Sequence, residues 1–160
     1  RYAVVMASLG LCTWSLHPRS PVELVERVAA TGLSAVQLAL VPLVDGSWSL
    51  AETKARLADS GIRVLSGMLA TVGEDYSSLQ SIRETGGLRP TATWPQNQRL
   101  AGQTAAVAAE LGLPLVTFHA GFLPHDRSDP ERSVLLTRLA KVAEVYRSFG
   151  IDVALETGQE

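Results

Sequence analysis

One unit recurs four times along the chain: a stretch of helical period stops at a glycine, and a short apolar run follows at once. The junctions read AATG-LSAVQLAL at Gly32, LADSG-IRVLSGML at Gly61, AAELG-LPLVTFHAG at Gly112 and YRSFG-IDVALETG at Gly150. Glycine is favoured just past a helix end because it takes up positive φ without steric cost. The helix starts are written as plainly. Ser20-Pro-Val-Glu23 and Ser49-Leu-Ala-Glu52 read as capping boxes, Thr93-Trp-Pro-Gln96 has the same form, and Asp129 is a cap followed by proline.

Inside the last two long helices an apolar stripe repeats at equal spacing: Leu100, Thr104, Val107, Ala108 and Leu111 in one, and Leu135, Leu139, Val142, Ala143 and Tyr146 in the other. Such spacing places each set on one helix face. The runs after the glycines are near-continuously apolar, as parallel strands covered on both sides would be. With YAVVMASLG as a first strand, strands and helices alternate to give five strands and four helices. The chain is therefore expected to be a single α/β domain over residues 1–160 with a parallel sheet.

Two architectures satisfy that pattern. An open doubly wound sheet suits 160 residues, but would want a further helix to cover its last strand. A (β/α)8 barrel takes about 250 residues, so the chain would supply its first four and a half units. No strand is followed by a G-x-G-x-x-G or G-x-x-x-x-G-K phosphate loop.

Composition narrows the partners. A net charge of −2 without a face-sized cluster of Lys and Arg argues against nucleic acid. No apolar run reaches the roughly 18 residues that span a bilayer, and the interrupted opening run reads as a strand rather than a leader. The chain opens on Arg1 rather than methionine, which reads as a trimmed or unrecorded start. The single cysteine, Cys12, rules out an internal disulfide framework and reads as a buried small apolar residue in a reducing, cytoplasmic setting.

Sites on parallel sheets form at the carboxyl ends of strands, and those ends carry the unusual residues. The first strand runs into CTWSLHP, with Trp14 and His17 as substrate-binding candidates; packing and solvation are their alternative readings. The third runs into TVGEDYSSLQSIRETGGLRPTA, long enough to be a lid. Asp45, Glu74 and Asp75 read as turn caps, and His125 as a solvated loop residue. His119 closes the fourth strand, where an interior would otherwise stay apolar, and Ala-Gly after it allows close backbone approach. Glu156 ends the fifth strand, beside His119 if the two strands are neighbours. A carboxylate there is costly unless paired, hydrogen-bonded or bound to metal, so the two residues read as the start of a divalent-metal or acid/base site.

VTFHAG, ALETGQE and GEDYSSLQSIRETGG together resemble the sugar phosphate isomerase/epimerase family, part of the xylose-isomerase-like TIM barrels that also include endonuclease IV. The resemblance covers the whole chain as the N-terminal part of such a barrel. It implies a metal site for Mn, Mg, Co or Zn, with one glutamate from the fifth strand and an aspartate, a histidine and a glutamate from the sixth, seventh and eighth. Glu156 matches the fifth-strand glutamate, as metal ligand and acid/base group, and His119 the fourth-strand histidine that touches substrate. Gln159 resembles a glutamine of the endonuclease branch, offset by one or two positions. Glu160 is set for a sugar hydroxyl, nearer to Glu156 than in the epimerase pattern. Gln37 stands where many members carry a glutamate.

The implied activity is isomerisation or epimerisation of a sugar or sugar phosphate, in carbohydrate metabolism, by proton transfer through an enediolate. The segment alone is expected to be inactive, and a homo-oligomer is implied. The other readings are a non-catalytic sugar-binding barrel, an endonuclease IV-like phosphoesterase, and an independent open-sheet regulatory domain.

Overall fold

The computed structural model describes residues 9–156. One parallel sheet is built from β1 (Leu11–Cys12), β2 (Ala35–Ala39), β3 (Arg63–Met68), β4 (Leu115–His119) and β5 (Asp152–Glu156), in the order β1-β2-β3-β4-β5. Between the strands run α1 (Thr13–Leu16) and α2 (Pro21–Thr31), α3 (Val41–Val44) and α4 (Leu50–Asp59), α5 (Leu79–Thr85) and α6 (Trp94–Glu110), and α7 (Pro130–Ser148). Most of the first strand expected from YAVVMASLG lies outside the described residues.

The unbroken strand order decides between the two architectures. A doubly wound sheet reverses its order at a switch point, which sends helices to both faces. Here every crossover advances by one strand, and crossovers of one hand then lay all the helices on one side. The helices touch as such a layer requires: α2 meets α4, α3 meets α6, and α6 meets α7. This is the (β/α) winding of a TIM barrel.

Local chemistry explains most helix limits. The Ser20 and Ser49 hydroxyls accept the backbone N–H groups of Glu23 and Glu52, and the Asp129 carboxylate accepts that of Glu131. Each such cap is worth about 1 kcal/mol. Ser20 does not complete a box, because the Glu23 carboxylate accepts the Arg19 N–H instead. Thr93 departs from expectation: its backbone is already helical, with φ −94° and ψ −10°, and its side chain makes no cap bond. All four junction glycines have positive φ, between 67° and 75°.

Two short helices, α1 and α3, interrupt segments read as loop. The long stretch after β3 also holds α5, closed by a reciprocal Ser78–Ser81 capping box.

The two faces of the sheet differ in kind. Val36, Leu38, Leu40, Val116 and Phe118 are essentially sealed against Leu24, Val28, Val142 and Tyr146 of the helices. The alternate residues face the other way, and there the Gln37 amide donates to the Thr117 hydroxyl at 2.8 Å, reaching across β3. The expectation of strands apolar on both faces is thus met on the helical side only. The α6 stripe is rotated from the one expected, whereas Leu135, Val142 and Tyr146 of the expected α7 stripe are buried. In α6 the buried positions are Asn97, Ala101, Thr104, Ala105 and Ala108, and in α7 they include Arg138.

Candidate functional site

His119 ends β4 on the polar face, two residues beyond Thr117, and its Cα partner across the ladder is Glu156 at the end of β5. Residues in register on parallel neighbours project to the same face, so the sheet aims both side chains the same way. His119 is buried and Glu156 exposed. The neighbourhood expected for these two is present.

A half-buried partner of His119 is Glu74, from the segment after β3. Glu74 Oε1 lies 3.2 Å from His119 Nδ1 and accepts the Gly87 backbone N–H at 2.9 Å. Its Oε2 accepts the Tyr76 hydroxyl at 3.3 Å. Burial works to raise the Glu74 carboxyl, but hydrogen bonds from His119 and Gly87, with the attraction of the imidazole whenever it is protonated, outweigh it and hold the group below its usual value. Tyr76 moves the other way, pushed up to about 12 by partial burial, then by the charge and hydrogen bond of Glu74 and the charge of Glu156. One cluster therefore joins Glu74, Tyr76, His119 and Glu156. The Phe122 ring closes it, edge-on to His119 at 6.3 Å between centroids.

Sequence reading took Glu74 for a turn cap, and the structure corrects this. Asp75 does cap its turn, through the Ser77 N–H at 2.8 Å, while the neighbouring glutamate points inward. The available signal was the glycine pair that follows. A Cβ on Gly86 would stand 2.8 Å from His119 Cε1, and one on Gly87 would stand 2.2 Å from the Ala120 carbonyl carbon. Gly87 also has φ +64°. The GG of one loop and the HAG of β4 thus meet backbone to backbone, sealed by the Leu88 N–H to the Ala120 carbonyl at 3.0 Å.

The same segment was expected to be a lid, yet it is tied down at several points. Asn97 accepts the Val72 N–H at 2.7 Å. Arg138 donates to the carbonyls of Leu88 and Arg89 and to the Thr91 hydroxyl. Burial lowers the Arg138 pKa, and its guanidinium also lies 5.4 Å from the Trp94 ring centre.

Trp14 and His17 occupy a different place. Together with Thr13, Ala39, Asp45 and Trp48 they line a cleft of about 400 Å³ beside β1 and β2. Trp14 is 47% exposed and His17 holds φ +46° at the end of α1. β2 and β3 stand between that cleft's first strand and His119. Asp45 caps its turn, as expected, through the Ser47 N–H. Gln159 and Glu160 lie outside the described residues.

A divalent cation suits the chemistry of this corner, since carboxylate oxygen and imidazole nitrogen together serve Mn, Mg, Co or Zn. Among the described residues no three His, Cys, Asp or Glu side chains converge on one point. Glu156 and His119 bring two such groups to the same mouth. No helix of the described residues is long and apolar enough to cross a membrane.

Comparison with known proteins bears on the whole chain. A family model described as xylose isomerase-like TIM barrel matches residues 25–159. Among solved structures, a xylose isomerase domain protein from Planctomyces limnophilus is 25% identical with a TM-score of 0.71, over 80% of this chain and 45% of that one. An L-ribulose 3-epimerase is 19% identical with a TM-score of 0.66, over 94% and 49%. The 3-keto-D-glucoside 4-epimerase of E. coli is 15% identical with a TM-score of 0.65, over 94% and 56%. The chain thus spans about half the length of the structures it matches. No curated protein matches it.

Proposed function

The chain belongs to the xylose isomerase-like TIM barrel family, and from that premise we propose that it forms the N-terminal part of a metal-dependent sugar or sugar-phosphate isomerase or epimerase. The observation that carries this reading is the register of His119 with Glu156 at the carboxyl mouth of the sheet. Two of the solved structures it resembles are sugar epimerases, which supports the substrate class.

In this reading Glu156 holds the cation, and His119 could add a nitrogen or hold a sugar oxygen. A bound divalent ion would supply polarisation of the sugar's carbonyl and adjacent hydroxyl. Glu156 is one of two carboxylates that exchange the proton on the carbon next to the carbonyl. The proton leaves to a carboxylate, and the C–H electron pair moves into an enediolate. A proton returned to the other face, or to the neighbouring carbon, completes epimerisation or isomerisation. The second carboxylate and the remaining donors come from strands beyond Glu156. Trp14 and His17 receive the far end of the sugar, and Gln159 and Glu160 bind hydroxyls near the reacting carbon.

The test is solvent exchange in full-length protein. Loaded with Mn²⁺ and offered a panel of ketoses and ketose phosphates in D₂O, it should place deuterium on a carbon next to the carbonyl. Glu156→Gln should abolish exchange and weaken Mn²⁺ binding. Unchanged Mn²⁺ affinity in Glu156→Gln would overturn the assignment. Sugar binding with no exchange and no metal would leave the sugar-binding barrel as the reading.

A further inference from the structure

Glu74 has no part in the reaction just described, yet it is among the most constrained groups on the polar face. Its carboxylate is 11% exposed and collects three donors: the Gly87 N–H, the Tyr76 hydroxyl and His119 Nδ1. An ionised carboxylate can only accept hydrogen bonds. The Gly87 N–H is a fixed backbone donor, held in place by the contact of Gly86 and Gly87 with the Ala120–Gly121 backbone. The carboxylate is thus pinned from one side by a backbone that cannot turn away, and it faces the imidazole on the other.

Three further groups surround the ring. Gly86 leaves no room for a Cβ beside Cε1, Phe122 stands edge-on, and the Tyr76 ring lies tilted at 6.5 Å. Among the described residues, charged or titratable groups that face the ring include Glu74, Tyr76 and, in register on β5, Glu156.

We infer that Glu74 is a positioning residue for His119: by accepting the Nδ1–H it fixes one tautomer and one ring orientation, so that Nε2 is the lone-pair nitrogen. A histidine on this mouth then acts as an acceptor, suited to a sugar hydroxyl or a cation and unsuited to donating a proton to an oxyanion. Such outer partners fix tautomer and orientation wherever a histidine must present one particular nitrogen. The inference rests on the proposed role of His119 in the site, but its first test does not need activity.

The measurement is the long-range ¹⁵N–¹H spectrum of the imidazoles in full-length protein at about pH 7.5, where an unperturbed histidine is mostly neutral. His119 is assigned by subtraction with His119→Gln. The expected signal is the Nδ1–H tautomer in the wild type. An Nε2–H or doubly protonated ring would overturn the inference. Glu74→Ala should shift the population towards Nε2–H and, on the substrate found by exchange, lower kcat about 10- to 100-fold with a smaller change in KM. Glu74→Gln, which keeps an acceptor oxygen, should restore much of the tautomer and of kcat. An unchanged spectrum in Glu74→Ala would sink the idea. If Glu74→Ala does not fold, Tyr76→Phe keeps the carboxylate and should retain the wild-type tautomer, and loss of that tautomer would count against Glu74 as its cause. Failure of the isomerase reading would show as absent exchange with this spectrum intact, so the two are separable.

Discussion

Glu74 Oε1 sits 3.2 Å from His119 Nδ1 although the residues stand 45 apart in sequence. The contact exists because two glycine-bearing backbones meet between them.

The first prediction concerns acid. Hydrogen bonds from His119 and Gly87 hold the Glu74 carboxyl below the ordinary glutamate value of 4.5 in the folded protein. Its contribution to stability is therefore complete above that value. It is lost progressively as pH falls, because the unfolded chain takes up the proton first. Denaturation monitored from pH 6 to 3 should show a shallower acid limb for Glu74→Gln than for the wild type. Parallel limbs would refute the ionised, hydrogen-bonded carboxylate.

A second prediction uses glycines as mutual controls. Gly32 and Gly87 both have positive φ, but a Cβ on Gly32 meets nothing within 4 Å, whereas on Gly87 it enters the Ala120 backbone. Gly32→Ala should cost about 1 kcal/mol, the price of the backbone conformation alone. Gly87→Ala should cost several times that and release the loop, seen as new proteolytic cleavage between residues 74 and 91.

The third concerns the α6–α7 seam, where the Thr104 and Tyr146 hydroxyls meet at 2.7 Å with both residues fully buried. Thr104 already donates to the Leu100 carbonyl at 2.8 Å, so it accepts from Tyr146. Tyr146→Phe then loses one hydrogen bond, about 1 kcal/mol, whereas Thr104→Val strands a buried hydroxyl at about 1–3 kcal/mol. Chemical denaturation should rank Thr104→Val as the more damaging, although it removes the smaller group's polarity.

The fourth concerns Arg138, whose guanidinium spans carbonyls of Leu88 and Arg89 and the Thr91 hydroxyl. Arg138→Met keeps the stem and loses these charged hydrogen bonds, each worth about 1.5–3 kcal/mol. Faster amide exchange at residues 86–91, with α7 itself unchanged, is the expected signature. Protection lost throughout α7 would show that the arginine holds the helix rather than the loop.

Sequence carried the fold well where local chemistry decides it. Ser20, Ser49 and Asp129 cap because a short polar side chain meets a neighbouring N–H group whatever the rest of the chain does. Thr93 fails because its own backbone is already in the helical region rather than extended. The α6 stripe drifted, and Arg138 joined that of α7, because Asn97 and Arg138, polar in sequence, are buried by carbonyl and N–H groups arriving from a distant loop. No periodicity rule sees such partners. The same blindness hid Glu74, whose partner His119 lies on β4. The adjacency of His119 and Glu156 was legible because a polar residue closing an apolar strand is a local anomaly, and register alone then unites them.

The meeting of Gly86 and Gly87 with Ala120 and Gly121 involves no side chain on either part. Substitutions along the exposed side of α5 and its approach, at Leu79, Gln80, Arg83 or Glu84, therefore change what a visiting molecule encounters at the rim without moving the joint that holds Glu74 to His119. The rim can diversify while the His119 corner stays where it is, much as a tool changes its bit and keeps its chuck.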